Sequence, residues 1–428
     1  MHKIERLLQT LAPKGVEFRK LGDIILSLKT GLNPRKFFKL NTPNANNYYV
    51  TVRELEEHTI KFTHQTDRID DNALSLCLKR SNLEKDDILF SGTGTIGKVS
   101  IIKENPNNWA IKEGIYSIKP NKKIVFPRFL MFCFENLNIQ NDIKSKSFGG
   151  IVKSISMNDL QQITIPIPPL EIQQEIVKIL DAFTELNTEL NTELKARKKQ
   201  YEYYQNMLLD FNGINQNHKD TKMSVKTYPK RLKTLLQTLV PKGVEFRKLG
   251  EVCDFQKGKS ITKKAVTFGK VPVISGGRQP AYYHNEANRS GETIAISSSG
   301  VYAGYVSYWD IPVFLADSFS VSPKQKTLMP KYLFHYLTTQ QDAIHATKST
   351  GGIPHVYSKD LQNFLIPIPP LEIQQEIVKI LDQFSILTTD LLAGIPAEIK
   401  ARKKQYEYYR EKLLTFKPLT PLNNKELA

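Results

Sequence analysis

Gly92-Thr93-Gly94-Thr95-Ile96-Gly97-Lys98 fits the first seven positions of a phosphate-binding loop, whose glycines bring backbone N–H groups close to phosphate oxygens. Such a loop needs a Ser or Thr hydroxyl next, to hold magnesium, and then a helix. Here Val99 follows, and Val99-Ser100-Ile101-Ile102 reads as a strand. The second half of the chain has Gly300-Val301-Tyr302-Ala303-Gly304-Tyr305 in the comparable place, without lysine. A glycine hairpin between two strands is the expectation for both. Phe90-Ser91-Gly92-Thr93-Gly94 also imitates the Phe-x-Gly-x-Gly element of adenine methyltransferases. Those enzymes need a second element, Asn or Asp followed by Pro-Pro and an aromatic, to hold an extruded base. The Pro-Pro pairs here, Pro168-Pro169 and Pro369-Pro370, are each followed by Leu and open helices. The eight histidines lack metal-ligand spacing, and neither a Ser-His-Asp pattern nor a nuclease set of paired carboxylates and lysine stands out. No catalytic residue and no metal site is expected in this chain.

The remaining chemistry is contact with a polyanion. Sixty Lys and Arg against 43 Asp and Glu leave a formal charge of +17 on 428 residues. Two long stretches each open on basic, glycine-containing sequence: Lys29, Gly31, Arg35, Lys36 and Lys39, then Lys257, Gly258, Lys259, Lys263 and Lys264. Lysine and arginine neutralise phosphates, whereas Asn, Gln, Arg and Ser can read base edges. Lys144, Lys146 and Lys348, around two Lys-Ser-x-Gly-Gly segments, and the Arg278-Gln279 pair are further candidates. Thr95 and Lys98 on the first glycine loop and Tyr302 on the second complete the set.

What must position these residues is duplicated. LLQTLAPKGVEFRKLGD at 7–23 recurs at 235–251 with two changes, and IPIPPLEIQQEIVKILDAF at 165–183 recurs at 366–384 with one. KARKKQYEYY recurs unchanged at 195–204 and 400–409. The halves, about 7–211 and 235–416, are separated by a polar link from Asn212-Gly213 to about Tyr228-Pro229 that reads as a loop. Between the repeated blocks lie inserts, about 24–160 and 252–361, that have diverged far more. They keep a common plan: Lys146–Ile151 matches Lys348–Ile353, and Pro127-Arg128-Phe129-Leu130 matches Pro330-Lys331-Tyr332-Leu333. Two near-identical frames carry two different inserts.

From Pro169 the residues Ile172, Ile176, Ile179, Phe183, Leu186 and Leu190 step by four and three, a coiled-coil seam. It passes a stutter at Leu194 and resumes through Tyr201, Tyr204 and Leu208, so one helix should cover 171–210. The second copy keeps Ile373, Ile377, Ile380, Phe384, Leu387 and Leu391, then meets Gly394-Ile395-Pro396, where the helix should stop and restart. Strands are expected at Ile88–Phe90, Val99–Ile102, Ile115–Ile118, Thr293–Ser297 and Gly304–Tyr308, and helices at Phe129–Glu135 and Tyr332–Leu337. Block 7–23 should pack near the end of the last helix, as 235–251 follows the first. Cys77, Cys133 and Cys253 are too few and too scattered for a disulfide framework. The absence of a long apolar run and of an apolar stretch after Met1 points to a cytoplasmic protein without membrane contact.

This pattern resembles the specificity subunit of type I restriction–modification systems, usually called HsdS, over nearly the whole chain. The most specific elements are IPIPPLEIQQEIVKILD in both halves, GIPAEIKARKKQYEYYREKLLTF at 394–416, Gly94–Val99 and Gly300–Val306. The resemblance implies a mixed α/β fold, with two pseudo-symmetric target recognition domains joined by two long antiparallel coiled-coil helices. It divides the chain into recognition domains at 1–165 and 235–366, a central conserved helix and spacer at 166–211 and a linker at 212–234. A C-terminal conserved helical region at 367–416 and a tail at 417–428 complete the division. It implies double-stranded DNA, two modification subunits and restriction subunits as partners, with S-adenosylmethionine, ATP and magnesium on those partners and no cofactor in this chain. Three near-copies of one tetrapeptide, marked by Thr184, Leu186, Thr188, Leu190, Thr192 and Leu194, resemble the family's variable spacer. Three other readings stay open: recognition of DNA for an orphan adenine methyltransferase, an enzyme using the Gly92–Lys98 loop, and a coiled-coil scaffold for acidic proteins.

Overall fold

The computed structural model describes residues 2–56, 58–211, 228–324, 326–349, 352–389 and 394–419. The core of the linker (212–227), Thr350 and Gly351, Leu391 of the second seam, and the tail from 420 lie outside the described residues. Pro168 and Pro169 cannot extend a helix backwards, and a 40-residue helix, Leu170–Leu209, starts immediately after them. Ile172 and Ile176 of its seam are fully buried, while Ile179, Phe183, Leu186, Leu190 and Leu194 are half-buried. Val177 and Leu180, beside the expected seam, are buried as well. There the helix joins a core formed by the first insert together with Leu413 and Leu414 of the last helix, which widens the apolar stripe. The second copy is broken as expected: helices Leu371–Thr389 and Ile395–Leu414 flank Gly394 at φ +89°. A Cβ on Gly394 would sit 2.4 Å from the Ile386 carbonyl oxygen, so no other residue fits without a shift.

The chain divides into two compact units, Met1–Glu189 with Ile399–Ala428, and Leu190–Glu398. In the first, the antiparallel strands Ile25–Thr30, Ile115–Pro120, Ile88–Ser91 and Val99–Ile101 lie side by side in that order. A smaller mixed sheet sets Asn47–Val50 between Arg68–Ile69 and Trp109–Ile111. The second unit repeats both. Cys253–Lys257, Ser318–Pro323, Thr293–Ser297 and Val306–Trp309 form the antiparallel sheet. Val271–Ile274, between Tyr282–His284 and Phe314–Leu315, forms the mixed one. The strand expected at Gly304–Tyr308 starts two residues later, because Gly304 at φ +86° and Tyr305 belong to the turn. The two expected helices run Pro127–Cys133 and Pro330–Thr339, each with proline in the first turn; the first ends two residues early. No helix among the described residues is long and apolar enough to cross a membrane.

Residues 7–23 meet the end of the last helix. The Val16 N–H donates to the Lys417 carbonyl at 2.8 Å, and the Leu419 N–H donates to the Val16 carbonyl at 2.9 Å. Ile4 and Val16 share a core with Leu413, Leu414 and Phe416. Inside each unit an aromatic pair joins the two long helical segments: Phe183 stacks on Tyr409 at 5.5 Å in the first, and Tyr204 on Phe384 at 5.1 Å in the second.

Each insert is clamped to its frame by a buried glutamine. Gln173 accepts the Phe126 N–H at 2.8 Å and donates to the Ile124 and Pro168 carbonyls at 3.1 and 2.7 Å. Gln374 accepts the Met329 N–H at 2.9 Å and donates to the Thr327 and Pro369 carbonyls at 2.8 and 2.7 Å. The clamps are backed by ion pairs, Arg128 with Asp181 and Lys331 with Asp382. Where the inserts meet the last turns of the helices, the polar partners differ. Glu135 accepts from Tyr406 at 3.1 Å, lies 2.7 Å from His58 Nε2 and faces Arg410 at 3.5 Å. Burial alone would raise the Glu135 pKa, but the His58 hydrogen bond and charge, with Arg410, hold it below its ordinary value. In the second unit Gln205 donates to Thr338 Oγ1 at 2.6 Å and to the His335 carbonyl at 3.2 Å.

Replacing Gln173 by methionine keeps the volume but strands three backbone groups. The first unit should lose about 2–4 kcal/mol, at roughly 1–3 kcal/mol for each buried group left unpaired and with partial relaxation. Gln374→Met should cost the second unit as much. Denaturant unfolding measures both, and a neutral result would mean that the clamp bears no load.

Candidate nucleic-acid interface

The glycine loop of the first insert is a hairpin turn. It joins strands paired from Ile88–Ile101 to Phe90–Val99, with Gly94 and Gly97 at φ +78° and +88°. Three of its N–H groups are already taken: Gly94 donates to the Lys153 carbonyl (2.8 Å), Gly97 to the Ser91 carbonyl (2.9 Å) and Lys98 to Ser91 Oγ (2.8 Å). Because these amides close the turn and a strand follows, the loop offers no phosphate cradle.

A second loop is fastened to this hairpin. Phe148 and Ser154 exchange two backbone hydrogen bonds of 2.8 Å, and the Ile155 N–H donates to the Gly92 carbonyl at 2.9 Å. Gln140 reaches from the helix Leu137–Ser145 to the Gly97 carbonyl at 3.4 Å. The second unit repeats the set. Gly300 donates to the Pro354 carbonyl (3.0 Å), Gly304 to the Ser297 carbonyl (2.7 Å) and Val356 to the Ser298 carbonyl (2.9 Å). Gln341 donates to the Gly304 carbonyl at 2.6 Å. These bonds correct one reading of the sequence. They set Ser349 opposite Phe148 and His355 opposite Ser154, so Lys348–Ile353 is displaced by one residue from its match to Lys146–Ile151. Gln140 and Gln341 were not singled out in the sequence, although a Gln followed three residues later by a buried Ile recurs there.

The start of the first basic stretch joins the same junction. The Gly92 N–H donates to the Gly114 carbonyl at 2.8 Å, and the Gly114 N–H donates to Thr30 Oγ1 at 3.1 Å, next to Lys29. Lys29 is half-buried on its strand, whereas Thr95, Lys98 and Lys144 are exposed. Lys98 donates to the Val52 carbonyl at 3.4 Å, and Lys146 faces Asp142 at 3.2 Å. Lys36 and Lys39 are exposed, on and just after the short helix Pro34–Phe37; Arg35 is on that helix, its side chain outside the description. No described side-chain contact ties Lys36 or Lys39 to the hairpin. Lys153, exposed beside Gly94, is a cation that sequence reading missed.

In the second unit Lys257, Lys259, Lys263 and Lys264 are exposed. The strand end carrying Lys257 is braced by Arg289, which donates to the Gln256 and Lys257 carbonyls at 3.0 and 3.1 Å. Asp317 gathers the surrounding loops: it accepts from Ser260 at 3.4 Å and Ser275 at 3.1 Å, and its carbonyl accepts the Ser298 N–H at 2.9 Å. Arg278 thereby lies 4.9 Å over the Tyr302 ring and 5.6 Å from that of Tyr305. Lys348 donates to the Val301 carbonyl at 3.5 Å, and Gln279 beside Arg278 is exposed. Burial lowers the His345 pKa, and Lys348 and Arg278 add to that against Asp342. The structure thus brings Arg278, Tyr302 and Lys348 together, with Tyr305 and His345 as unforeseen neighbours. The spacer residues Thr184, Leu186, Thr188, Leu190, Thr192 and Leu194 all lie on the helix Leu170–Leu209, and the boundary between the units falls among them, at Glu189 and Leu190.

The type I restriction modification DNA specificity domain matches residues 13–199 and again 241–401. The chain belongs to that family. A putative type I restriction enzyme specificity subunit of Haemophilus influenzae, S.HindORF215P, is 34% identical over 68% of this chain and 72% of its own length. The EcoR124I/EcoR124II specificity subunit of Escherichia coli is 32% identical over 66% of this chain and 71% of its own. The crystal structure of a type I S subunit from M. genitalium has the same fold, with a TM-score of 0.59 at 20% identity over 94% of this chain and 96% of that one. The two matched segments of the specificity family correspond to the two frames with their inserts.

Gly94 and Gly97 separate conformational strain from crowding. A Cβ on Gly94 meets nothing within 4 Å, whereas one on Gly97 would lie 3.0 Å from the Gln140 amide. Gly94→Ala should cost about 1 kcal/mol for its positive φ, and Gly97→Ala about 2–3 kcal/mol because Gln140 must also move. Equal losses in thermal unfolding would argue against Gln140 as the brace.

Proposed function

We propose that this chain is the sequence-reading subunit of a type I restriction–modification complex, in which each insert reads one half of a split, asymmetric DNA site. The observation that carries the reading is the repetition of one hydrogen-bonded loop junction in two inserts whose exposed residues differ. A shared scaffold with unlike surface chemistry suits two readers of unlike half-sites. Thr95, Lys98, Lys144 and Lys153 in the first insert, and Arg278, Gln279, Tyr302 and Lys348 in the second, are the groups assigned to DNA around the junctions, with Lys36, Lys39, Lys263 and Lys264 assigned to phosphates. The repeated helical ends, with KARKKQYEYY in both copies, dock two modification subunits, and restriction subunits join that assembly. S-adenosylmethionine, ATP and magnesium belong to those partners, base extrusion is their work, and the cytoplasm is where the complex meets DNA. The recognition domains are taken to end near 165 and 366, ahead of the repeated helices. An orphan adenine methyltransferase without a nuclease would use this subunit in the same way.

Methylation mapping tests the division of labour. Exchanging residues 252–361 for another insert should change one half of the methylated site and leave the other intact; changes in both halves would contradict independent readers. Deleting one tetrapeptide from 184–195 removes about 6 Å of helix at 1.5 Å per residue. The unread gap should then shorten by one or two base pairs of roughly 3.4 Å each, with the same bases read on either side. An unchanged gap would show that this helix does not set the spacing.

Position and readout separate by salt dependence. Charge reversal at Lys263 and Lys264, or at Lys36 and Lys39, should weaken binding to all sequences and flatten the salt slope, since fewer counterions are released. Arg278→Lys keeps the charge but loses the stacked fork, so preference at one position should relax by about 1–3 kcal/mol with little change in slope. Competition binding at two salt concentrations distinguishes these outcomes, and an Arg278→Lys variant that keeps full preference would place base reading elsewhere.

A further inference from the structure

The loop Phe148–Ser154 ends in a tip for which the reading so far has no use. Ile151 is fully exposed, and Val152 and Phe148 are 60% and 56% exposed. The backbone beneath them is fixed: the Phe148–Ser154 pair closes the loop, and Gly94 holds Lys153. Gly149 turns at φ +104°, where a Cβ would meet the Val152 carbonyl oxygen at 2.5 Å. These side chains therefore stand in water on a rigid support. The second unit does the same at the equivalent place, where Ile353, 66% exposed, takes the position of Val152 behind Gly352 at φ +82°. Val301, on the adjoining glycine turn, is 81% exposed. In two inserts that have otherwise diverged, an exposed β-branched apolar side chain stands beside the same hydrogen-bonded junction.

We infer that these tips are wedges that enter a base step of the bound duplex, one in each half-site. The inference rests on the reading of the inserts as DNA readers. A protein partner would ask for a broad apolar patch. Here the tip is only residues 149–153, with the exposed Lys153 within it, Lys98 on the hairpin to which the loop is fastened and Lys144 on the helix that leads into it. In the second unit Lys348 and Arg278 flank the corresponding loops. A narrow apolar point with cations on the adjoining backbone matches stacked bases between two phosphate backbones, and inserted Ile, Leu or Phe side chains unstack a step and kink the duplex. Local unstacking would also loosen the helix for the base extrusion that adenine methylation requires.

The test uses the full chain in its modification complex, bound to a duplex of its mapped site. 2-Aminopurine is placed at successive positions other than the methylated adenine. The expected result is brightening at one step in each half. The double substitution Ile151→Ser with Val152→Ser should abolish the first signal only and weaken binding about ten-fold, as burial of one aliphatic side chain would give. Ile353→Ser should abolish the second, and Ile151→Leu should keep the first. All three positions are exposed, so thermal unfolding should not change. Ordinary binding without brightening, or brightening that survives the serine variants, overturns the wedge alone. So does a loss of affinity confined to thymines without brightening, which marks a methyl contact. Serine variants that bind DNA normally but release a modification subunit make the tips a protein surface and overturn it too. A wild-type complex with no preference for any duplex overturns the DNA-reading function, and the wedge with it.

Discussion

The architecture depends on one kind of contact, a buried glutamine amide that bonds only backbone. Gln173 and Gln374 touch the N–H of Phe126 or Met329 and the carbonyls of Ile124 or Thr327. None of these bonds depends on a side chain of the insert. The insert can change its sequence freely and still be gripped, provided the chain presents the same turn ahead of Pro127 or Pro330. A clamp made of side-chain pairs would have tied recognition to scaffold. This one separates them, which is why the frames are nearly identical while the inserts are not.

The separation is incomplete at the far end of the helices. KARKKQYEYY is identical in both copies, but the next residues are Gln205-Asn206-Met207 in one and Arg410-Glu411-Lys412 in the other. These differences fall where the helix touches the insert. Arg410 faces the carboxylate of Glu135, and Glu411 accepts from the Asn136 side chain at 2.8 Å; in the second unit Gln205 meets the neutral Thr338. Moving the first insert to the second frame would keep His58 beside the half-buried Glu135 but replace Arg410 by an amide, at a cost of about 1–3 kcal/mol for the lost charged partner. The backbone clamp leaves an insert's sequence free, and the polar contact fixes which position the insert occupies.

Much of this was legible in the sequence, because repetition and periodicity are direct physical signals. The long helix, the break at Gly394 and the hairpin at Gly92–Lys98 follow from spacing, proline and glycine, and the meeting of residues 7–23 with the last helix follows from the order of the repeated blocks. The misses have a common cause. Val177 and Leu180 belong to a core that gathers insert residues as well as helical ones, so the seam period alone could not show them. The one-residue displacement of Lys348–Ile353 arises because hydrogen bonds to the glycine turn, not the residues with matching letters, set the register. Arg278 could be named as a basic residue, but its stacking on Tyr302 and Tyr305 depends on loops gathered by Asp317, some 40 residues away in sequence. Contacts made across such distances leave no local pattern.

The glycine loop shows why a motif needs its context. Its residues satisfy most of a nucleotide-binding pattern and part of a methyltransferase one, yet the amides of Gly94, Gly97 and Lys98 are consumed at home, by Lys153 or by Ser91. Closing the turn in this way removes the donors that a phosphate would need. It also fixes the neighbouring loop, since the Gly94 N–H holds Lys153 and the Gly92 carbonyl holds Ile155. The same arithmetic operates in the second insert with Gly300, Pro354 and Val356. The glycines are there to let two backbones approach and lock, and the exposed side chains carried on the locked pair are what is left to meet a partner.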